Sequence, residues 1–174
     1  MPTVVRFTIR VAPDSDEEVF KLKIHEEWAP LGARRFLDLV QDKNFDGGAF
    51  YRVIPGFMAQ FGIAADPAMY KKWSQMIPDD KVTQSNTRGR ISFAMRGPNT
   101  RSCQVFINFG DNGSLDSQGF APFGEVIEGM EVVDKIYSGY QDAPYREPIK
   151  EEGVACIKDK FPKLSYVVAA VVED

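Results

Sequence analysis

The chain has 174 residues, 44% apolar and 12% aromatic, enough for one well-filled core, because a chain near 150 residues buries about 70% of its unfolded surface. That composition excludes a disordered polymer, and 14 glycines and 11 prolines in no period exclude a collagen-like fibre. The 25 acidic and 21 basic residues leave a formal charge of −4, which provides no positive field for holding nucleic acid by counterion release.

Along the chain, Val5, Phe7, Ile9 and Val11 alternate with Arg6, Thr8 and Arg10, the period of a half-buried strand and unlike the apolar block of a signal peptide. A second strand runs from Glu18 to His25, with Phe20, Leu22 and Ile24 on one face, and the turn chemistry of Ala12 to Asp16 makes the pair a hairpin. Pro30 opens an amphipathic helix that carries Ala33, Phe36, Leu37 and Val40 at i, i+3, i+4 and i+7. Phe50 to Ile54 and Phe57 to Gly62 read as strands split by Pro55-Gly56, with Arg52 sharing a face with Phe50 and Ile54. From Ile63 to Arg90 the periodicity fades into a long polar excursion.

Strands return at Ile91 to Met95, Val105 to Phe109 and Phe123 to Ile127. A second helix is predicted from Met130 to Ser138, ended by Gly139, and Val154 to Ile157 and Leu164 to Val172 read as last strands. Strands in series with two helices and no regular alternation predict a mainly β protein. We read one domain over 1–174, with its core over about 4–158 and a C-terminal extension from about 159. The longest apolar run, Val167 to Val172, is far shorter than the roughly 18 residues of a spanning helix, so the expectation is a cytoplasmic monomer that contacts no membrane and no nucleic acid.

The common catalytic templates are missing. His25 is the single histidine and falls on the polar side of a predicted strand, so no histidine triad or histidine-rich metal site can be built, and a surface histidine is expected. Phosphate-loop and nucleophile-elbow patterns are absent, and Ser114 beside Asp116 has no base to activate it. Cys103 and Cys156 form no C-x-x-C pair and read as two free thiols. Neither metal nor cofactor is expected. What stands out is the run Phe50 to Gly62, where Arg52 sits mid-strand among apolar residues and Phe57, Met58 and Gln60 follow, the makings of an apolar pocket with a few convergent donors.

This run, F-x-R-V-I-P-G-F-M, together with Phe93 to Thr100, Gln104 to Ile107 and Phe123 to Ile136, closely resembles the cyclophilin family of peptidyl-prolyl cis/trans isomerases, over about Phe7 to Ile157. The resemblance implies a closed eight-stranded antiparallel β-barrel capped by two helices. It implies that Arg52 is the catalytic arginine and that Gln60 orients it and the substrate backbone. Phe57 and Met58 would wall the proline pocket, Phe106 would form its floor, and Ala94, Gln104 and Leu115 match further pocket positions. The partners implied are proline-containing peptides and protein clients.

Departures from the family pattern are local. Ser114 stands where members commonly carry a tryptophan, and Gly119 or Phe120 where they carry a pocket histidine, which implies weak binding of the inhibitor cyclosporin. Met95 and Arg96 replace small or amide residues, and Ala68 to Met76 replaces a Gly-rich loop; both reshape the subsite beside the proline pocket. The alternative function is a proline-peptide binding module with little isomerase activity, since the altered rim loosens the pocket.

Overall fold

The computed structural model describes residues 2–173. Eight strands form one antiparallel sheet: β1 (Thr3–Arg10), β2 (Glu17–Ile24), β3 (Arg52–Ile54), β4 (Met58–Phe61), β5 (Arg90–Phe93), β6 (Val105–Asn108), β7 (Gly124–Glu128) and β8 (Tyr166–Glu173), in the spatial order β3-β4-β6-β5-β7-β2-β1-β8. Strand alternation sends Val5, Phe7 and Ile9 of β1 and Phe20, Leu22 and Ile24 of β2 into one core, all fully buried. The centre of that core is aromatic. The Phe7 ring stacks on Phe20 at 5.1 Å and meets the edge of Phe61 at 5.7 Å, contacts that add about 0.5–1.5 kcal/mol each beyond area burial.

Helix α1 (Pro30–Gln41) lays Ala33, Phe36, Leu39 and Val40 on this core, and Phe36 reaches Phe123 at 5.0 Å. Its first amides are capped from elsewhere in the chain: Leu31 and Gly32 donate to the Asp80 carboxylate at 3.1 and 2.8 Å. Four shorter helices follow, α2 (Pro67–Trp73), α3 (Met130–Val133), α4 (Ile149–Glu152) and α5 (Ala155–Lys158). Among the described residues no helix is long and apolar enough to cross a membrane.

The sheet curls into a half-barrel. Its two outer strands, β3 and β8, do not pair in a ladder as a closed barrel would require, because β3 is only three residues long. The seam is bridged one step earlier in the chain: Gly47 donates to Val167 O at 2.8 Å, Val167 to Gly48 O at 2.8 Å, and Phe50 to Ser165 O at 3.0 Å. The tail thus supplies a strand of the sheet, with Val167 and Ala170 buried in the main core.

Several local expectations change for identifiable reasons. The excursion after Ile63 contains α2, which buries no side chain and so leaves no apolar period; it is started by Asp66 accepting from Ala68 N at 2.9 Å and tied down by Trp73 Nε1 donating to Asp42 at 2.7 Å. Residues 154–157 are helical rather than extended, a short apolar run in which periodicity cannot separate the two states. Helix α3 stops at Val133, where Lys135 and Ile136 switch to bonds with the residue three before. Phe50 precedes β3 and turns into the core against Phe61 at 4.9 Å, away from the Arg52 face.

His25 is the clearest correction. It is 9% exposed rather than on the surface, because its ring stacks on Trp28 at 3.9 Å and both nitrogens meet carboxylates, Nδ1 with Glu27 at 3.2 Å and Nε2 with Glu125 at 2.8 Å. The Arg90 guanidinium lies 4.9 Å from the centre of the Trp28 ring.

Two glycines make a paired test of backbone constraint. Gly62 leaves β4 at φ +119 with space for no side chain, a Cβ there lying 2.1 Å from Cys103 O, whereas Gly56 at φ +73 has open space around it. Gly56→Ala should cost about 1 kcal/mol, the left-handed penalty alone. Gly62→Ala should cost clearly more, about 3 kcal/mol, because strain and a backbone clash coincide. Urea unfolding midpoints check this, and equal losses would contradict it.

Candidate active site

The strand period also builds a second surface, on the side of the sheet away from the core. Across β3, β4 and β6 the register pairs Arg52 with Gln60 and Gln60 with Phe106, and pairs Val53 with Ala59 and Ala59 with Ile107. The second row lies in the core. The first row therefore faces outward, and Met58 and Gln104, two residues along from Gln60 and Phe106, share its face. This is why an arginine sits between Tyr51 and Val53, both buried.

The polar members of the row are wired together. Arg52 Nη1 donates to Gln60 Oε1 at 3.2 Å, Gln60 Nε2 donates to Gln104 Oε1 at 3.0 Å, and the same oxygen accepts the Tyr51 hydroxyl at 2.7 Å. Burial pushes the Tyr51 phenol well above its ordinary pKa, so it stays a neutral donor. Two donors on the Gln104 oxygen and one on the Gln60 oxygen fix which end of each amide is the acceptor. Tyr51 is itself held by Tyr145, whose ring stacks on it at 5.5 Å and 19°.

A cavity of about 280 Å³ opens over this row. Arg52, Phe57, Met58, Gln60, Ala94, Met95, Gln104, Phe106, Leu115 and Phe120 all line it. Gln60, Met58 and Phe106 are nearly covered, at 5%, 1% and 4% exposure. Phe120 stands edge-on to Phe106 at 5.7 Å, so of the two residues 119 and 120 it is the phenylalanine that walls the cavity. Ser114 is exposed on a 3-10 turn and lines no part of it.

Sequence reasoning missed Tyr70, Met76, Arg96, Tyr145 and Lys150 as lining residues. The first three lie in segments flagged only as reshaping a subsite. Tyr145 and Lys150 come from a Pro-rich turn with no chemical pattern of its own, and only folding brings them here. Cys103, beside Gln104, is pushed up to about 11 by burial, which makes it an inert thiol at neutral pH.

The rim carrying Leu115 and Phe120 is pinned from below by Asp116. Its carboxylate accepts from Ser85 Oγ and from the backbone and side-chain nitrogens of Asn86, each of the latter at 2.8 Å. Asn86 in turn donates to Phe120 O at 2.9 Å and accepts from Ser92 at 2.7 Å. Burial works to raise the Asp116 pKa, but the bonds from Ser85 and Asn86 outweigh it and hold the group below its ordinary value.

A depressed folded-state pKa stabilises the protein above the unfolded value, about 3.9, and that contribution is lost as pH falls through the lower folded value. The parent protein should therefore lose stability as pH drops below about 4, with the rim affected. Asp116→Asn should be less stable at neutral pH and show a shallower decline in acid. Unfolding midpoints across this range test the point; parallel curves would remove Asp116 from the account.

Residues 8–155 match the family model described as "Cyclophilin type peptidyl-prolyl cis-trans isomerase/CLD". A peptidyl-prolyl cis-trans isomerase of Acinetobacter baylyi is 34% identical over 143 residues, covering 75% of this chain and 76% of the relative. Peptidyl-prolyl cis-trans isomerase B of Escherichia coli is 34% identical over 147 residues, covering 75% and 89%. The crystal structure of a Cryptosporidium parvum cyclophilin type peptidyl-prolyl cis-trans isomerase superposes with a TM-score of 0.71 at 20% identity, over 100% of this chain and 99% of that one, a likeness of fold. The family model matched over residues 8–155 and relatives 34% identical over about three quarters of its length place this chain in the cyclophilin-type peptidyl-prolyl cis-trans isomerase family.

Proposed function

We propose that this isomerase turns X-Pro bonds by aiming Arg52 at the prolyl nitrogen while Phe57, Met58, Phe106, Leu115 and Phe120 hold the proline ring. The hydrogen-bonded chain from Tyr51 through Gln104 and Gln60 to Arg52, beside the Phe106 floor, is the observation that supports it. Resonance opposes rotation about the peptide bond by about 18–20 kcal/mol. As the bond twists, the nitrogen pyramidalises and exposes its lone pair, so a guanidinium donor there binds the twisted state better than either planar isomer.

Magnitudes divide the work. One charge-assisted hydrogen bond of about 1.5–3 kcal/mol accounts for about ten- to a few-hundredfold in rate. The remainder comes from preorganisation. Gln60 fixes one edge of the Arg52 fork, the amide nitrogen of Gln104 is free for a peptide carbonyl, and Ala94 and Met95 offer an extended wall along which the chain lies. The step moves no proton and forms no covalent intermediate, so none of these groups needs to titrate. The substrates are proline-containing peptides and protein clients, and assistance to folding follows from speeding steps that otherwise take tens to hundreds of seconds.

Arg52→Lys should lose most of its kcat/KM, because a point ammonium cannot bond Gln60 and the prolyl nitrogen as a fork does. A proline-isomerisation assay measures this. Retention of more than about half, a loss under about 0.4 kcal/mol, would refute the arginine mechanism, and a parent protein with no activity would indicate a proline-peptide binding module instead.

The rim makes a second, separate expectation. Ser114 lies outside the cavity and offers no indole face, so cyclosporin should bind weakly while catalysis persists. Replacing an anchoring tryptophan commonly costs about 2 kcal/mol, or about thirtyfold in affinity. Inhibition titrations of the parent and of Ser114→Trp test this. Nanomolar inhibition of the parent would show that Phe120 or its neighbours supply the contact.

A further inference from the structure

The charge lining the cavity is opposite to that of the chain. The protein as a whole carries −4, yet its active-site cavity is lined by Arg52, Arg96 and Lys150 and by no aspartate or glutamate. Ion pairs occur widely elsewhere, at Lys21, Lys72, Arg88, Lys135 and Lys160 among others, but among the described residues none involves these three cations. Two carboxylates of the adjoining loops are occupied. Asp80 holds Arg101 at 3.1 Å and the first amides of α1, and Asp79 accepts from Asn99 N at 3.0 Å. Glu151 acts on Tyr70 electrostatically but lines no part of the cavity.

Of the two cations not used in the isomerisation step, Lys150 is held by a ring and Arg96 is carried on a tightened loop. Lys150 lies over the Tyr145 ring at 5.7 Å, and Tyr145 is stacked on Tyr51, the anchor of the Gln104 amide. Arg96 follows Met95 in a loop tightened by its own N–H donating to Thr100 Oγ1 at 2.8 Å and by Thr100 donating to Gly97 O at 2.9 Å. Arg96 and Tyr70 both line the cavity. An arginine and a lysine on one cavity whose lining holds no carboxylate form a site that a peptide anion completes.

We infer that Arg96 and Lys150 make this isomerase selective for X-Pro segments that carry a carboxylate or phosphate group close to the proline. This rests on the isomerase reading above and adds the substrate class. Neutral peptides enter the same pocket, and basic ones are repelled. Because the cations are partly solvated, the preference is screened by salt.

The test uses the full chain and peptides in which glutamate, glutamine, lysine or phosphoserine is placed in turn at successive positions on either side of the proline. Affinity is read by fluorescence titration and turnover by exchange NMR. At one position or more, glutamate and phosphoserine should exceed glutamine by about fivefold or more in affinity and kcat/KM, with lysine below glutamine and the gain shrinking in high salt. A larger gain for phosphoserine than for glutamate would identify phosphate as the preferred group. The glutamate-to-glutamine ratio should fall to near one in the Arg96→Gln, Lys150→Gln double variant.

Glutamate no better than glutamine at every position, or a ratio that survives in the double variant, overturns the inference. Turnover without acidic preference would leave the isomerase reading intact. Acid-dependent affinity without turnover of any peptide would do the reverse.

Discussion

The register that sets Arg52 against Gln60, and Gln60 against Phe106, is the constraint on which the site depends. Side chains alternate faces along a strand, so a slip of one residue in β4 would send Gln60 and Met58 into the core and Ala59 and Phe61 out of it. The core forbids that slip. Phe61 is packed against Phe7, Phe45 and Phe50, and exposing its ring would forfeit about 1.5–3 kcal/mol. The aromatic interior therefore protects the alignment of the outward row without touching it.

A sheet face alone would leave that row open to water, and the loops that cover it carry little apolar burial of their own. Polar clamps take that role. Asp116 and Asn86 tie the Leu115 and Phe120 rim to β5, while Asn112 donates to Phe57 O at 2.9 Å and to Asn108 at 2.8 Å. On the opposite side Asp80 and Arg101, with side chains 4% and 3% exposed, join the polar excursion to the start of α1. A buried pair of this kind adds little net stability but is costly to break, so it serves to fix one loop conformation.

Within the cavity the same logic operates at a smaller scale. Three side chains with rotatable amide or guanidinium ends are locked into one pattern by a single phenol that burial keeps protonated. Tyr145 links that phenol to Lys150, so the polar row and one of the cations lining the cavity share one aromatic stack.

Much of the molecule was legible in the chain. Alternation over Val5 to Val11 and Phe20 to Ile24, and the apolar stripe of α1, follow from local side-chain periods and reappear as such. The ten expected pocket residues converge: Arg52, Met58, Gln60 and Phe106 sit on strands whose faces follow from the strand period, and Phe57, Ala94 and Gln104 directly adjoin a strand end. What the sequence by itself determined was this: the β class, the two faces of its strands and the arginine-glutamine row. What only the tertiary structure decided was which segments meet. It buried His25 between Trp28 and Glu125, closed the seam through residues 47–50 rather than β3, turned 154–157 into a helix, and brought Tyr145 and Lys150 to the cavity. The bridged seam, the Glu125 contact of His25 and the place of Tyr145 and Lys150 depend on segments distant in the chain, and a local period carries no record of a distant neighbour.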